Sequence, residues 1–213
     1  MKQRYAKTIA FEGIDGAGKT TQSLKLVDSL RGSGRGDVQL YKYTSKENFW
    51  GRTIKKIYSV ETGGPYAVLQ QCRSLQELLY ALSARKNLEA IHGNSQSVII
   101  ADRSIVTAYA SHHNLLPEWY LRLVEPKLIP DIVVYLDVEP ATGLERIAER
   151  HIRFLDEDLS SEIEFRNTYL SFFNGDRPRA LQSCKFLKID GNLPEEDVHH
   201  EVLSQLERFL SEK

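Results

Sequence analysis

Eight consecutive residues, Gly13-Ile14-Asp15-Gly16-Ala17-Gly18-Lys19-Thr20, carry the spacing G-x-x-x-x-G-K-[ST], a pattern that serves phosphate binding when a strand precedes it and a helix follows. The apolar run Ile9-Ala10-Phe11 lies before it and a helix-compatible segment after it. Glycines let the chain bend until successive N–H groups point inward at phosphate oxygens, beside the positive end of a helix. Gly13, Ile14, Asp15, Gly16, Ala17, Gly18, Lys19, Thr20 and the adjoining Thr21 are therefore the candidate cradle for a nucleoside triphosphate. Lys19 would reach the outer phosphates and Thr20 would hold magnesium.

A second constellation is Asp102-Arg103, at the end of the β-branched run 97–101. An acid there could orient magnesium or its waters, and a guanidinium could grip a phosphoryl group through two parallel hydrogen bonds. The same pair would also suit a surface ion pair or a helix cap, and Ser104 could cap the next helix. Arg146, Arg150 and Arg153 are spaced by four and three, so a continuing helix would place them on one face, running into Phe154-Leu155-Asp156-Glu157-Asp158. One reading is a basic lid that brings cations over the transferred group and excludes water. The other is an ordinary solvated helix face. Ala17 is not an arginine, so the loop itself does not supply that cation. Arg85 stands among Ser83, Ala84 and Lys86 on an apolar helix, where it suits either a substrate contact or a snorkelling surface residue. The pairs His112-His113 and His199-His200 lack acids at ligand spacing and read as non-metal.

Positioning these groups requires strands that end where they stand. Segments 7–12, 38–43, 97–101, 132–138 and 185–189 read as five strands. Helical periodicity fills 20–30, with Leu24, Val27 and Leu30 on one face, and 47–60. It continues over 66–91, then over 140–150 with Leu144, Ile147 and Ala148 inward, and over 161–173. A final helix opens at Pro194 and buries Val198, Val202, Leu206 and Phe209. Strands alternating with helices predict a three-layer α/β fold, a five-stranded parallel sheet covered on both faces. Ligands then bind beyond the carboxyl ends of the strands.

The chain has 213 residues and a net charge of -1, with 27% charged and 41% apolar residues. Such a length fits one domain over 1–213, with a lid at about 146–160, and the balance implies no nucleic-acid partner. No apolar run approaches a membrane span or signal peptide, and Cys72 and Cys184 match no metal spacing, so the cytoplasm is the expected compartment.

The run Phe11-Glu12-Gly13-Ile14-Asp15-Gly16-Ala17-Gly18-Lys19-Thr20-Thr21-Gln22 resembles the opening of thymidylate kinases, which are P-loop nucleoside monophosphate kinases. Asp102-Arg103 followed by Thr107-Ala108-Tyr109 is similar to the family's Asp-Arg-Tyr segment, especially in archaeal-type members. Pro130-Asp131, Tyr135-Leu136-Asp137-Val138 and Gly143-Leu144-Glu145-Arg146 resemble the strand and helix before the family's lid. The resemblance implies a P-loop NTPase fold and transfer of the γ-phosphoryl of ATP, with magnesium, to dTMP, usually by a homodimer. It implies that Asp15 contacts the acceptor sugar, Arg103 bridges the donor and acceptor phosphates, and Arg85 lies near the acceptor base. It also implies a catalytic arginine in the lid, Arg150 or Arg153.

Four departures fall on acceptor contacts. Tyr43-Thr44-Ser45-Lys46 replaces an arginine or phenylalanine followed by proline, leaving Lys46 as the acceptor-phosphate cation. Ala81 and Leu82 stand where an aromatic residue stacks on thymine, with Tyr80 the nearest ring. Ser104 replaces a tyrosine, and Ser111-His112 stands in place of Tyr-Gln close to the base. Two other readings stay open. One is a deoxynucleoside kinase, which shares this fold and would need Glu12 or Glu47 as a base. The other is a P-loop NTPase switch, for which no obvious water-positioning glutamine is present.

Overall fold

The computed structural model describes residues 7–34, 37–45, 47–58, 73–89, 91, 97–111, 129–148 and 158–211. Five strands, β1 (Lys7–Glu12), β2 (Val38–Lys42), β3 (Val98–Asp102), β4 (Ile132–Asp137) and β5 (Lys185–Asp190), form one sheet. Every pairing is parallel, and the order is β2-β3-β1-β4-β5. Parallel neighbours must be joined by crossovers, and those crossovers are the helices. They are α1 (Lys19–Gly32), α2 (Phe49–Tyr58), α3 (Arg73–Glu89), α4 (Ile105–Ser111), α5 (Pro140–Ala148), α6 (Leu159–Phe173) and α7 (Glu195–Ser211).

Side-chain alternation along the strands divides the core in two. Ile9, Phe11, Val98, Ile100, Val134 and Leu136 face one side, where Leu26, Val27 and Leu30 of α1 and Val198, Val202 and Leu206 of α7 cover them. Ala10, Ile99, Ala101, Val133 and Tyr135 face the other, against Ala81 and Ala84 of α3, Ile105, Val106 and residues 108–110 of α4, and Tyr169 and Phe172 of α6. The result is the three-layer architecture expected from the alternating pattern. The central strands are buried on both faces, which is why β4 reads as an unbroken apolar run, Ile132-Val133-Val134-Tyr135-Leu136.

Two inward faces differ from expectation. Leu24 is 44% exposed, because α1 packs through Gln22, Ser23, Leu26, Val27 and Leu30, and Leu24 falls outside that stripe. On α5, Ala148 is exposed and Gly143 is buried instead of an apolar side chain. A Cβ on Gly143 would come 2.6 Å from the Asp15 carbonyl, so the helix approaches residues 13–20 by backbone contact. No described helix is long and apolar enough to cross a membrane.

Candidate active site

The sheet register sets the site. Phe11 pairs with Asp102, and Glu12 with Tyr135, so the ends of β1, β3 and β4 lie side by side. The loop of residues 13–20 leaves β1 at the sheet centre and enters α1. Gly18 caps that helix in the left-handed region, at φ 88°, which glycine adopts without steric cost. Gly13 lies against the Leu136 carbonyl, which a Cβ would approach to 2.6 Å. The loop is thus folded by its own glycines and braced by β4 and α5.

Lys19 is buried, and its amine donates to the Ile14 carbonyl at 2.5 Å and lies 3.6 Å from Asp15 Oδ1. Burial, and then the Arg103 charge, lower its pKa to about 8, against the pull of Asp15 and Asp102. It keeps its proton near neutral pH while remaining poorly solvated, which suits an amine waiting for phosphate. Thr20 Oγ1 donates to Asp102 Oδ2 at 2.7 Å. Two hard oxygen groups at the exit of a phosphate cradle fit magnesium, which takes one or two protein oxygens and completes its shell with phosphate and water.

Arg103 is the one non-glycine described residue with positive φ, at 65°. Its backbone N–H donates to the Phe11 carbonyl at 3.1 Å, while its guanidinium pairs with Asp15 Oδ1 and reaches the Gly13 carbonyl at 3.3 Å. Burial opposes the guanidinium charge, but Asp15 and the other nearby acids outweigh it and hold its pKa above the ordinary arginine value. The turn that produces this geometry is fastened by Glu12, which is fully buried. The Glu12 carboxylate accepts from Ser104 N at 2.7 Å and Ser104 Oγ at 2.6 Å, from Thr107 Oγ1 at 2.5 Å, and from Tyr169 OH at 2.8 Å. Burial raises its pKa, and these donors with Arg103 restrain the rise. Ser104 also caps α4, accepting from Val106 N at 3.2 Å. Four donors occupy the four lone-pair positions of a carboxylate, which leaves Glu12 no position from which to deprotonate a hydroxyl.

Helix α6 adds groups that the sequence reading passed over. Glu162, Phe165, Arg166 and Tyr169 follow at i, i+3, i+4 and i+7, the spacing of one helix face, and that period was the signal available for finding them. Glu162 accepts from the Asp15 backbone N–H at 3.1 Å. Burial, and then the Asp15 charge, push its pKa up to about 7. Phe165 lies under the Arg103 guanidinium, with the ring centroid 5.8 Å away. Arg166 donates to Asp137 Oδ1 at 2.7 Å, and Lys188 lies 2.8 Å from the other oxygen; together they overcome burial and hold the Asp137 carboxyl below the usual range.

The other predicted site residues fall differently. Arg85 is exposed and lies 3.4 Å from Glu89, one turn along α3. Ser111 ends α4 and donates to the Ala108 carbonyl at 3.1 Å. Arg146 donates to the Gly191 carbonyl at 3.0 Å, in the turn before α7. Thr21 is exposed on the first turn of α1. Lys46, Arg150 and Arg153 lie outside the described residues, as do 149–157 of the expected lid. His199 bridges Ser29 Oγ at 3.0 Å and Gln22 Oε1 at 3.2 Å, joining α7 to α1. On the far side of the site, Asn48 caps α2 by accepting from Gly51 N at 2.8 Å and donates to Asn87 Oδ1 at 2.7 Å. Asn87 in turn donates to the Lys42 carbonyl at 2.6 Å, so β2, α2 and α3 form one wall.

The chain matches the family model described as thymidylate kinase over residues 11–202. It is 26% identical to a probable thymidylate kinase of Methanosphaera stadtmanae over 95% of this chain and 98% of that relative. It is 30% identical to probable thymidylate kinase 2 of Saccharolobus solfataricus, over 95% of this chain and 96% of the relative. Among solved structures, a deoxyadenosine kinase from M. mycoides with bound dATP superposes with a TM-score of 0.64 over 94% of this chain and 99% of that one. At 19% identity, that likeness speaks for the fold alone. With a phosphate loop at the sheet centre and a family match spanning nearly its whole length, the chain belongs to the thymidylate kinase family.

Proposed function

We propose that this chain transfers the γ-phosphoryl group of ATP to dTMP, giving dTDP and ADP. The observation that carries the reading is the joining of two pairs: Thr20 with Asp102 at the exit of the donor loop, and Asp15 with Arg103 across its entrance. A phosphate oxygen of dTMP attacks the γ-phosphorus, the bond from that phosphorus to the bridging oxygen breaks, and ADP leaves. A phosphate monoester is largely ionised near neutral pH, so the attacking oxygen needs no base. That agrees with a Glu12 whose lone pairs are already taken, and it favours a phosphorylated acceptor over a nucleoside hydroxyl.

Lys19 neutralises charge on the transferred group, and Arg103 holds the acceptor phosphate beside it. Arg150 or Arg153 adds a further cation, Lys46 assists on the acceptor phosphate, and Asp15, Arg85 and Ser111 belong to the acceptor side. Thr20 and Asp102 would hold magnesium, which when bound shields the phosphate oxygens and aligns them. The same reading has one catalytic domain over 1–213, with a lid at about 146–160, working as a cytoplasmic homodimer.

The test is ADP release from ATP in the presence of a panel of nucleosides and nucleoside monophosphates. Release stimulated most by dTMP is expected. Stimulation by nucleosides alone would replace this reading with a deoxynucleoside kinase, and release indifferent to every acceptor would leave an NTPase switch. Lys46→Ala is expected to raise the acceptor KM; an unchanged value removes Lys46 from the site.

A further inference from the structure

The Asp15 peptide is gripped from two sides by the helices that flank residues 149–157 in the chain. On one side Glu162 of α6, itself only 5% exposed, takes the Asp15 N–H at 3.1 Å. On the other, the α5 backbone at Gly143 presses against the Asp15 carbonyl so closely that a Cβ would come within 2.6 Å of it, and Gly16 meets the Gly143 carbonyl in the same contact. A phosphate cradle gains from every N–H it can turn inward. Here one N–H of the loop is withheld from phosphate and given to a carboxylate. The residue whose N–H is withheld is also the one whose side chain leaves the loop to meet Arg103. One turn further along α6, Phe165 lies under the Arg103 guanidinium, so a single helix face backs both members of the Asp15–Arg103 pair.

Resting on the kinase reading above, we infer that Glu162 is a positioning residue for acceptor recognition: by holding the Asp15 peptide, it aims the Asp15 carboxylate at Arg103 and marks where the donor cradle ends. The raised pKa of Glu162 agrees with a group crowded between burial and the Asp15 charge. Its presence beside a loop that binds anions has no evident use in donor binding. It acts through Asp15, and the effect of its loss therefore falls on one substrate.

Three variants separate reach from charge. Glu162→Asp keeps the charge but falls one methylene short, Glu162→Ala removes the group, and Glu162→Gln keeps an oxygen able to accept from the Asp15 N–H. Expected for Glu162→Asp and Glu162→Ala is a rise of about tenfold in the acceptor KM with the ATP KM changed less than twofold, the size of one lost positioning hydrogen bond. Glu162→Gln should recover most of that loss. Amide hydrogen exchange at Asp15 should quicken about tenfold in Glu162→Asp and stay near the wild-type rate in Glu162→Gln. The inference is overturned if both KM values move together, if Glu162→Asp behaves as wild type, or if Asp15 exchange is unaltered. Should Glu162→Ala fail to fold, the Asp and Gln variants decide alone. The exchange measurement needs no turnover, so failure of the kinase reading, seen as wild-type ADP release indifferent to every acceptor, is told apart from failure of this one.

Discussion

On the proposed function, the donor and acceptor halves of the site are built on opposite plans. Among the described residues the donor half is nearly continuous in sequence: residues 13–20 supply the loop, and Asp102 comes from elsewhere to meet Thr20. The acceptor half is assembled from distant parts. Asp15 meets Arg103, α6 supports both, and a wall of β2, α2 and α3 is tied by Asn48 and Asn87. Contiguous segments hold their geometry through local backbone conformation, such as the left-handed Gly18. Assembled segments hold it through side-chain hydrogen bonds across long sequence separations. The donor half should therefore fail through loss of chemistry, and the acceptor half through loss of alignment.

The sharpest break in that comparison is Lys19→Ala. It should lower kcat on the order of 10³-fold with the fold intact, as steady-state ADP release and circular dichroism would report. Arg103 comes next, because from the acceptor half it pairs with Asp15 of the loop. Arg103→Ala should lower kcat/KM for the acceptor by about 10²-fold, as expected for losing a charge-assisted pair at a transferring phosphoryl group. Arg103→Gly should be equally impaired yet more stable than Arg103→Ala by about 1 kcal/mol, because glycine accepts the φ of 65° freely. Equal stability of the two would show that Glu12 and Ser104 do not hold this turn against strain.

A smaller effect should appear in the pH dependence of stability. The Glu162 pKa rises from 4.5 to about 7 in the folded chain. Between those values the folded state keeps a proton that the unfolded state has released, so stability falls as pH rises through that window and levels off above it. Glu162→Gln should remove this part of the slope. Relative to wild type it should gain about 3 kcal/mol between pH 4.5 and 8, read from thermal melts at each pH. Glu12 pulls in the same direction but is common to both proteins. The smallest expected change is Asn48→Ala, which removes the α2 cap and one tie to Asn87. It should cost about 1 kcal/mol of stability and raise the acceptor KM more than the ATP KM. An ATP KM that rose instead would dissolve the division into halves.

Legibility in the sequence followed the same division. The strand–loop–helix turn of residues 13–20 could be read outright because it rests on backbone conformation, which glycine spacing encodes directly. Asp102-Arg103 could be read as a strand end, though whether it served chemistry or an ordinary cap depended on what stood opposite. The face of α6 carried a readable period, but nothing in Glu162, Arg166 or Tyr169 taken singly announced a partner. On α5, Ile147 is buried as its period predicts, but another buried position is occupied by Gly143, which a search for apolar residues passes over in favour of Leu144 and Ala148.

By itself, then, the sequence determined the alternation of strands and helices, the glycine loop between β1 and α1, and the family. These depend on local propensity, on periods of two and 3.6, and on one short contiguous motif. Only the tertiary structure decided the strand order β2-β3-β1-β4-β5, the enclosure of Glu12 by Tyr169 across 157 positions, and the hold of Glu162 on Asp15 across 147. It likewise left Arg85 on the surface beside Glu89. The reason is physical: a hydrogen bond between residues so far apart is set by how the layers pack, and no local pattern in the chain records which distant donor will arrive.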